Sequence, residues 1–253
     1  MCRMLAKVSI FPTSIQEEML LSPYSMQYLS KHGRLPEDPE THGEHNDGCG
    51  IAFVKNNQLE IHRRDKDHSW DYTFRLIVEN AKSNLFIAHN RKAYKDLTIN
   101  EKRSHPFLYQ TFAFCHNGGV YSFMDEALDH GITDTEIFFK ELLDKAENKS
   151  SQGIFNSLNN IANTTDYSSL TGFLMNNQEL FAWRIYNTKN KERAQRFEDY
   201  YTLWLKNNKG SVVIASEPLD NGNWEKLPNF SFIHLKPTPD RIDQFRKHIT
   251  ITR

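Results

Sequence analysis

Short apolar runs separated by turn residues dominate this chain, and only a few stretches carry a helical spacing. Leu5 to Phe11 reads as a strand, interrupted in its apolar run by Lys7. Gly50 to Val54 is another, and Asn56-Asn57 turns it into Leu59 to His62, the pattern of a hairpin. Leu170 to Met175, Asn176-Asn177 and Leu180 to Tyr186 repeat that pattern. Leu85 to Ala88, Thr111 to Cys115, Tyr200 to Leu205, Val212 to Ala215 and Phe230 to Leu235 add further short strands. Phe74, Ile77, Val78 and Ala81 fall at helical spacing within Tyr72 to Ala81. Asp134 to Asn148 is the clearest helix, opened by Thr133 and Glu136 at capping-box spacing, and Ile154 to Ile161 is a second. Pro23 to Asp47, rich in Pro, His, Gly and acids, reads as a long surface loop around short helical turns.

Strands come first, two helices follow mid-chain, and strands return. That order suggests sheet layers sharing one core with helices packed outside, an α+β arrangement and not a βαβ repeat. No Pro/Gly/Ser linker divides the chain, so residues 1–253 are expected to form one domain.

Composition narrows the functional classes. The 253 residues hold 31 Lys and Arg against 32 Asp and Glu, a balance that gives no electrostatic reason to expect nucleic acid or a membrane surface. No apolar run approaches the roughly 20 residues of a membrane helix, and the N-terminus lacks signal-peptide character. Three cysteines, Cys2, Cys49 and Cys115, argue for a reducing compartment and against a disulfide framework, so the cytoplasm is the expected location. Cys49 and Cys115 sit in or beside apolar strands and read as small core hydrophobes. His42, Glu44 and His45 lie in a polar loop without a metal-ligand pattern, and they read as solvated. The charge run Arg63 to His68 reads as a solvated turn. No Gly-rich phosphate loop appears; neither nucleotide, cofactor nor metal is expected.

Cys2 is the first residue with candidate chemistry. It precedes an apolar strand, which would hold the terminus in place. Loss of Met1 would expose its α-amino group, with an ordinary pKa of about 7.7–8.0, beside a thiol near 8.5. One residue could then supply nucleophile and base. Asn117 and Gly118, in Phe114-Cys115-His116-Asn117-Gly118-Gly119, offer a side-chain amide and an approachable backbone N–H for an oxyanion. Asn-Gly is also a strong hairpin-turn signal, and alone the turn is the better reading. Arg91, in Ala88-His89-Asn90-Arg91-Lys92-Ala93, could grip a carboxylate bidentately, although a basic turn is the plainer reading. Asp134 could take an ammonium group, or simply favour a helix start.

Together, and in order, these segments carry a resemblance. Met1-Cys2-Arg3, His45-Asn46-Asp47-Gly48-Cys49-Gly50-Ile51-Ala52, His89-Asn90-Arg91, Ser104-His105-Pro106-Phe107, His116-Asn117-Gly118, Asp134-Thr135-Glu136 and Ala215-Ser216-Glu217-Pro218-Leu219, with Trp224 after it, run nearly the whole chain. The sequence resembles the class II glutamine amidotransferases of the N-terminal-nucleophile hydrolase superfamily. It looks closest to the small stand-alone branch of YafJ-like proteins and the ergothioneine-pathway γ-glutamyl amidohydrolase. The resemblance implies a four-layer αββα sandwich of antiparallel sheets. It implies that Cys2 is the nucleophile of the mature chain, residues 2–253, and that Asn117 and Gly118 form the oxyanion pair. Arg91 would hold the substrate α-carboxylate, Asp134 its α-ammonium, and His105 would shape the pocket loop without transferring protons.

The implied activity is hydrolysis of the glutamine side-chain amide through a glutamyl thioester, with ammonia passed to a separate synthase partner. The alternatives are hydrolysis of γ-glutamyl conjugates or related peptides, and a catalytically silent γ-glutamyl-binding protein. Three positions depart from the family pattern: Tyr94 in place of Thr, Ser104 in place of Asn, and Cys49 in place of Trp. They bear on the pocket's shape and so on the identity of the substrate.

Overall fold

The structure is a computed structural model that describes residues 2–35, 42–93, 99–189 and 191–252. Its first strands are β1 (Arg3–Ser14), β2 (Gly33–Arg34), β3 (His42–Gly43), β4 (Gly48–Lys55), β5 (Gln58–Asp65), β6 (Lys82–Asn90), β7 (Phe107–Tyr109) and β8 (Phe112–Asn117). There follow β9 (Thr171–Met175), β10 (Leu180–Arg184), β11 (Trp204–Asn208), β12 (Ser211–Ala215), β13 (Glu225–Lys226), β14 (Ser231–Pro237) and β15 (Ile242–His248). The α-helices are α1 (Met26–His32), α2 (Tyr72–Asn80), α3 (Met124–His130), α4 (Asp134–Lys145), α5 (Ser151–Thr164) and α6 (Lys191–Glu198). One sheet runs β13-β11-β12-β1-β6-β4-β5 and the other β15-β14-β10-β9-β8-β7, with β2-β3 a small hairpin apart.

Strand alternation builds the layers. Successive side chains point to opposite faces, and here both faces are apolar. Met4, Ala6 and Val8 of β1 join Ala52 and Ile87 against Ala113, Cys115, Phe173, Ala182 and Ile233 of the second sheet. On the outer face of the first sheet, Leu5, Ile51, Phe86 and Ala88 pack on Met26 and Leu29 of α1 and on Phe74 and Val78 of α2. On the outer face of the second, Phe114, Leu174, Phe181, Trp183 and Phe232 meet Leu142 and Leu143 of α4 and Ile154 and Leu158 of α5. Each fully buried aromatic or Leu contributes about 1.5–3 kcal/mol relative to exposure. The result is a four-layer αββα sandwich whose described sheet pairings are antiparallel.

Local sequence explains much of this. Asn56 and Asn57 both hold positive φ, 51° and 63°, which suits a two-residue hairpin turn between Lys55 and Gln58. Thr133 and Glu136 form the reciprocal capping box at the start of α4. Other expectations are corrected. The strand expected over Tyr200 to Leu205 begins only at Trp204, because Tyr200 and Tyr201 are buried in an aromatic cluster instead of a ladder. The helix expected to reach Asn148 ends at Lys145. His45 is fully buried, not solvated. Its N–H donates to Ser30 O at 2.7 Å, and its Nδ1 lies 3.1 Å from Gly43 O. Arg63 to Asp65 continue β5, and only the residues after them turn. Helices α3 and α6 and strand β15 were not anticipated. Among the described residues, no helix is long and apolar enough to cross a membrane.

Candidate active site

Cys2 stands at the open end of the space between the sheets. Met4 pairs with His89 across β1 and β6, and Arg3 pairs with Asn90. By alternation, Cys2 continues the inner row of Met4, Ala6 and Val8, while Arg91 and His89 continue that of Ile87 and Leu85. The row is apolar in the core and turns polar only at this end.

The outer row anchors the terminus. Arg3 is fully buried and pairs with Glu217 at 2.7 Å, its guanidinium lying 4.5 Å from the centroid of the Tyr200 ring. Glu217 also accepts from the Arg34 N–H at 2.8 Å. Met4 N–H donates to Ser216 Oγ at 2.9 Å, and Ser216 N–H donates back to Met4 O at 2.9 Å. The Ala215-to-Leu219 segment thus holds residues 3 and 4 directly behind the cysteine. Sequence reasoning gave Glu217 no role; its place in a recurring Ala-Ser-Glu-Pro-Leu segment was the available signal.

Opposite Cys2, β8 delivers Asn117. The Cys2 nitrogen donates to Asn117 Oδ1 at 3.0 Å, and Asn117 Nδ2 is buried without a partner. Gly118 follows with φ of 153°, and a Cβ there would lie 2.0 Å from Ser169 O. The Asn-Gly pair is therefore not a hairpin turn. It is a close backbone crossing that only glycine permits. His116 fixes the segment from below: Nδ1 accepts from the Thr135 hydroxyl and Nε2 donates to Ser169 O, both at 2.9 Å. Burial pushes this imidazole down, in agreement with a neutral ring.

Asp134 is the first residue of α4, after the capping Thr133. Its Oδ2 accepts from Val120 N–H at 2.7 Å, which ties the stretch after Gly118 to the helix start. Arg91 is only 5% exposed, with Nη1 unpartnered. Its backbone is clamped by Arg91 N–H to Gly48 O at 2.7 Å and Asp47 N–H to Arg91 O at 3.0 Å. Asp47 Oδ2 also accepts from Ala93 N–H at 2.8 Å. The Asp47-Gly48 pair thus positions the arginine segment, a task the sequence reading did not foresee. Tyr94 lies outside the described residues.

His105 is buried with both ring nitrogens unpartnered, and it stacks on His89 at 4.1 Å between centroids. Ser104 Oγ donates to Arg64 O at 2.9 Å and supports the same loop. Burial pushes the thiols of Cys49, to about 11, and of Cys115 upward. Burial would raise Cys2 as well. The nearby charges of His89 and of the terminal ammonium outweigh it and lower Cys2 to about 6. Of the three cysteines, only Cys2 is thereby favoured as a thiolate at neutral pH. Among the described residues no group of three His, Cys, Asp or Glu converges on a metal position.

Two apolar-faced antiparallel sheets between helical layers define the αββα architecture of the N-terminal-nucleophile hydrolases. The sequence model of the family described as "Glutamine amidotransferases class-II" matches residues 29–237, and the chain belongs to that family. The match begins after Cys2, so the terminal cysteine is placed by the structure and not by the family match. The chain is 26% identical over 220 residues to the uncharacterized protein MJ1515 of Methanocaldococcus jannaschii, covering 76% of this chain and 62% of that one. It is 25% identical over 212 residues to the probable glutamine amidotransferase DUG3 of Saccharomyces cerevisiae, covering 63% and 59%. The chain thus spans about three-fifths of the length of these curated relatives. The fold is shared with a glutamine aminotransferase class-II domain protein from Silicibacter pomeroyi, at a TM-score of 0.63 and 16% identity, covering 96% of this chain and 98% of that one.

Proposed function

We propose that the protein is a cysteine amidohydrolase that cleaves the γ-amide of glutamine or of a γ-glutamyl conjugate. One observation carries this reading: Asn117 receives the Cys2 nitrogen on Oδ1 while its buried Nδ2 has no partner. A buried donor left unpaired costs about 1–3 kcal/mol. An oxyanion formed on Cys2 would accept from it. In this mechanism the Cys2 thiolate attacks the side-chain carbonyl. Asn117 Nδ2 and the Gly118 N–H receive the developing negative oxygen. The carbon–nitrogen bond breaks as the leaving amine takes a proton from the Cys2 α-ammonium. Water then resolves the thioester. Arg91 holds the α-carboxylate, Asp134 the α-ammonium, and His105 keeps the pocket loop in place.

Release of ammonia from glutamine, compared with release of amine from a panel of γ-glutamyl amides, tests the reading and separates its two substrates. Turnover of neither class by the mature protein sinks it and favours a silent γ-glutamyl-binding role. If ammonia is the product, a synthase acceptor in the cytoplasm is the expected partner.

Two further outcomes are expected. Intact-mass measurement of protein made in cells should show loss of Met1, because the mechanism uses the Cys2 α-amine; active protein retaining Met1 would exclude that use. Arg91→Ala should raise KM by about 10- to 10²-fold for substrates with a free α-carboxylate, since a charge-assisted bidentate contact contributes about 1.5–3 kcal/mol. Asp134→Asn should raise KM only for substrates with a free α-ammonium. A lower Tm with unchanged kinetics in Asp134→Asn would assign that carboxylate to the Val120 tether alone.

A further inference from the structure

His89 lies beside the nucleophile and has been given no task. It is buried in the last inner-facing position of β6 before Arg91. Its Nε2 lies 3.2 Å from His116 O. A carbonyl only accepts, so Nε2 carries the hydrogen of the neutral ring. Nδ1 is then the lone-pair nitrogen; it is buried without a partner, on the inner face beside the position of Cys2. The His105 ring lies against that of His89, tilted by 32° with centroids 4.1 Å apart. This is a base with its tautomer set by a second hydrogen bond, the arrangement that activates nucleophilic cysteines.

We infer that His89 is the resting-state proton holder for Cys2, taking the thiol proton on Nδ1 before substrate arrives. The inference rests on the proposed role of Cys2 and extends it. The S–H bond breaks, sulfur keeps the electron pair, and Nδ1 forms the new N–H bond. The α-ammonium remains free to protonate the leaving amine. The resulting neutral amine then takes a proton from the water that opens the thioester, and expulsion of sulfur restores the thiolate.

The surrounding charges agree with this division. Arg91, immediately after β6, lies near the thiolate and favours it. On the first sheet's outer face, Arg3 interacts favourably with it, and Tyr200 and His45 pack around Arg3. Burial pushes His105 and His116 down, so neither competes as a cation, and Asp134 acts on His116. Cys115, on β8, is held as a neutral thiol.

Alkylation of Cys2 by iodoacetamide across pH reads the pair without any substrate. In the mature wild type the rate should rise with pH about a midpoint below that of an ordinary thiol. His89→Gln should move that midpoint upward by at least one pH unit and lower kcat with little change in KM. A folded His89→Gln protein with an unmoved midpoint overturns the inference. If that variant does not fold, nitrogen NMR of the wild type decides. The His89 Nδ1 signal should change at the same pH as Cys2 alkylation, and that step should vanish in Cys2→Ala. An identical His89 titration in both proteins overturns the inference equally. Low-pH alkylation in a protein that hydrolyses no γ-glutamyl amide would instead sink the proposed function and leave the pair standing.

Discussion

Cys2→Ala should abolish turnover while leaving the fold intact. The substitution removes the one atom proposed to bond covalently to substrate, and deleting a hydrolase nucleophile costs on the order of 10⁶ in kcat. The structural cost is small by comparison. The side chain is buried, at 7% exposure, and its Sγ reaches Lys92 O at a long 3.9 Å. Loss of one buried heavy atom costs about 1 kcal/mol. The terminus stays anchored through Arg3 to Glu217 and Met4 to Ser216, which the change does not touch. Cys2→Ser is the sharper comparison. It keeps the α-amine and the size, but a hydroxyl does not reach the thiolate state near neutral pH, so activity should fall steeply. Cys49→Ala and Cys115→Ala should cost stability and keep the chemistry, since both thiols are buried and held protonated. A glutamine-like diazoketone should label the wild type once, at Cys2. Labelling at Cys49 or Cys115, or full hydrolysis by Cys2→Ala, overturns the assignment.

Asn117→Ala should lower kcat by about 10²–10³ with a smaller change in KM, the usual result of removing one oxyanion donor. Two contacts are lost together. The unpartnered Nδ2 no longer waits for the oxyanion, and the Cys2 nitrogen loses its acceptor at 3.0 Å. Asn117→Asp separates them. The carboxylate still accepts from the Cys2 amine but offers no donor and repels negative charge, so its kcat should fall at least as far as that of the alanine variant. If Asn117→Asp retained wild-type kcat, Asn117 would be only an anchor for the terminus. Thermal melting belongs beside both assays, because Asn117 is fully buried at the end of β8.

Much of the scaffold was legible from local pattern. The strands around Leu5, Ile51, Leu85, Val212 and Phe232, the Asn56-Asn57 turn and the capping box of α4 were visible because each rests on nearest-neighbour chemistry. The resemblance placed Cys2, Asn117, Gly118, Arg91 and Asp134 in a functional order. The structure puts Cys2, Asn117 and Arg91 at one end of the inter-sheet space. Helix α3 and strand β15 escaped because their apolar positions are sparse and exposed, as at Leu128 and Phe245, and they are held by neighbours distant in sequence.

What the sequence determined by itself was the alternation of strand faces, the helix starts and a candidate nucleophile with candidate partners. Only tertiary structure decided where those partners sit. Asn117 reads as a turn until β8 brings it 115 residues back to Cys2, and Gly118 reads as flexible until Ser169 O closes the space for any Cβ. His45 reads as solvated until its N–H meets Ser30 O of α1 and its ring is buried. His89 reads as one residue in a basic turn until His116 O takes one of its nitrogens and the other is left buried without a partner. The reason is the same in each case. A side chain's protonation, tautomer and reach depend on which groups replace water around it, and strands far apart in the chain supply those groups.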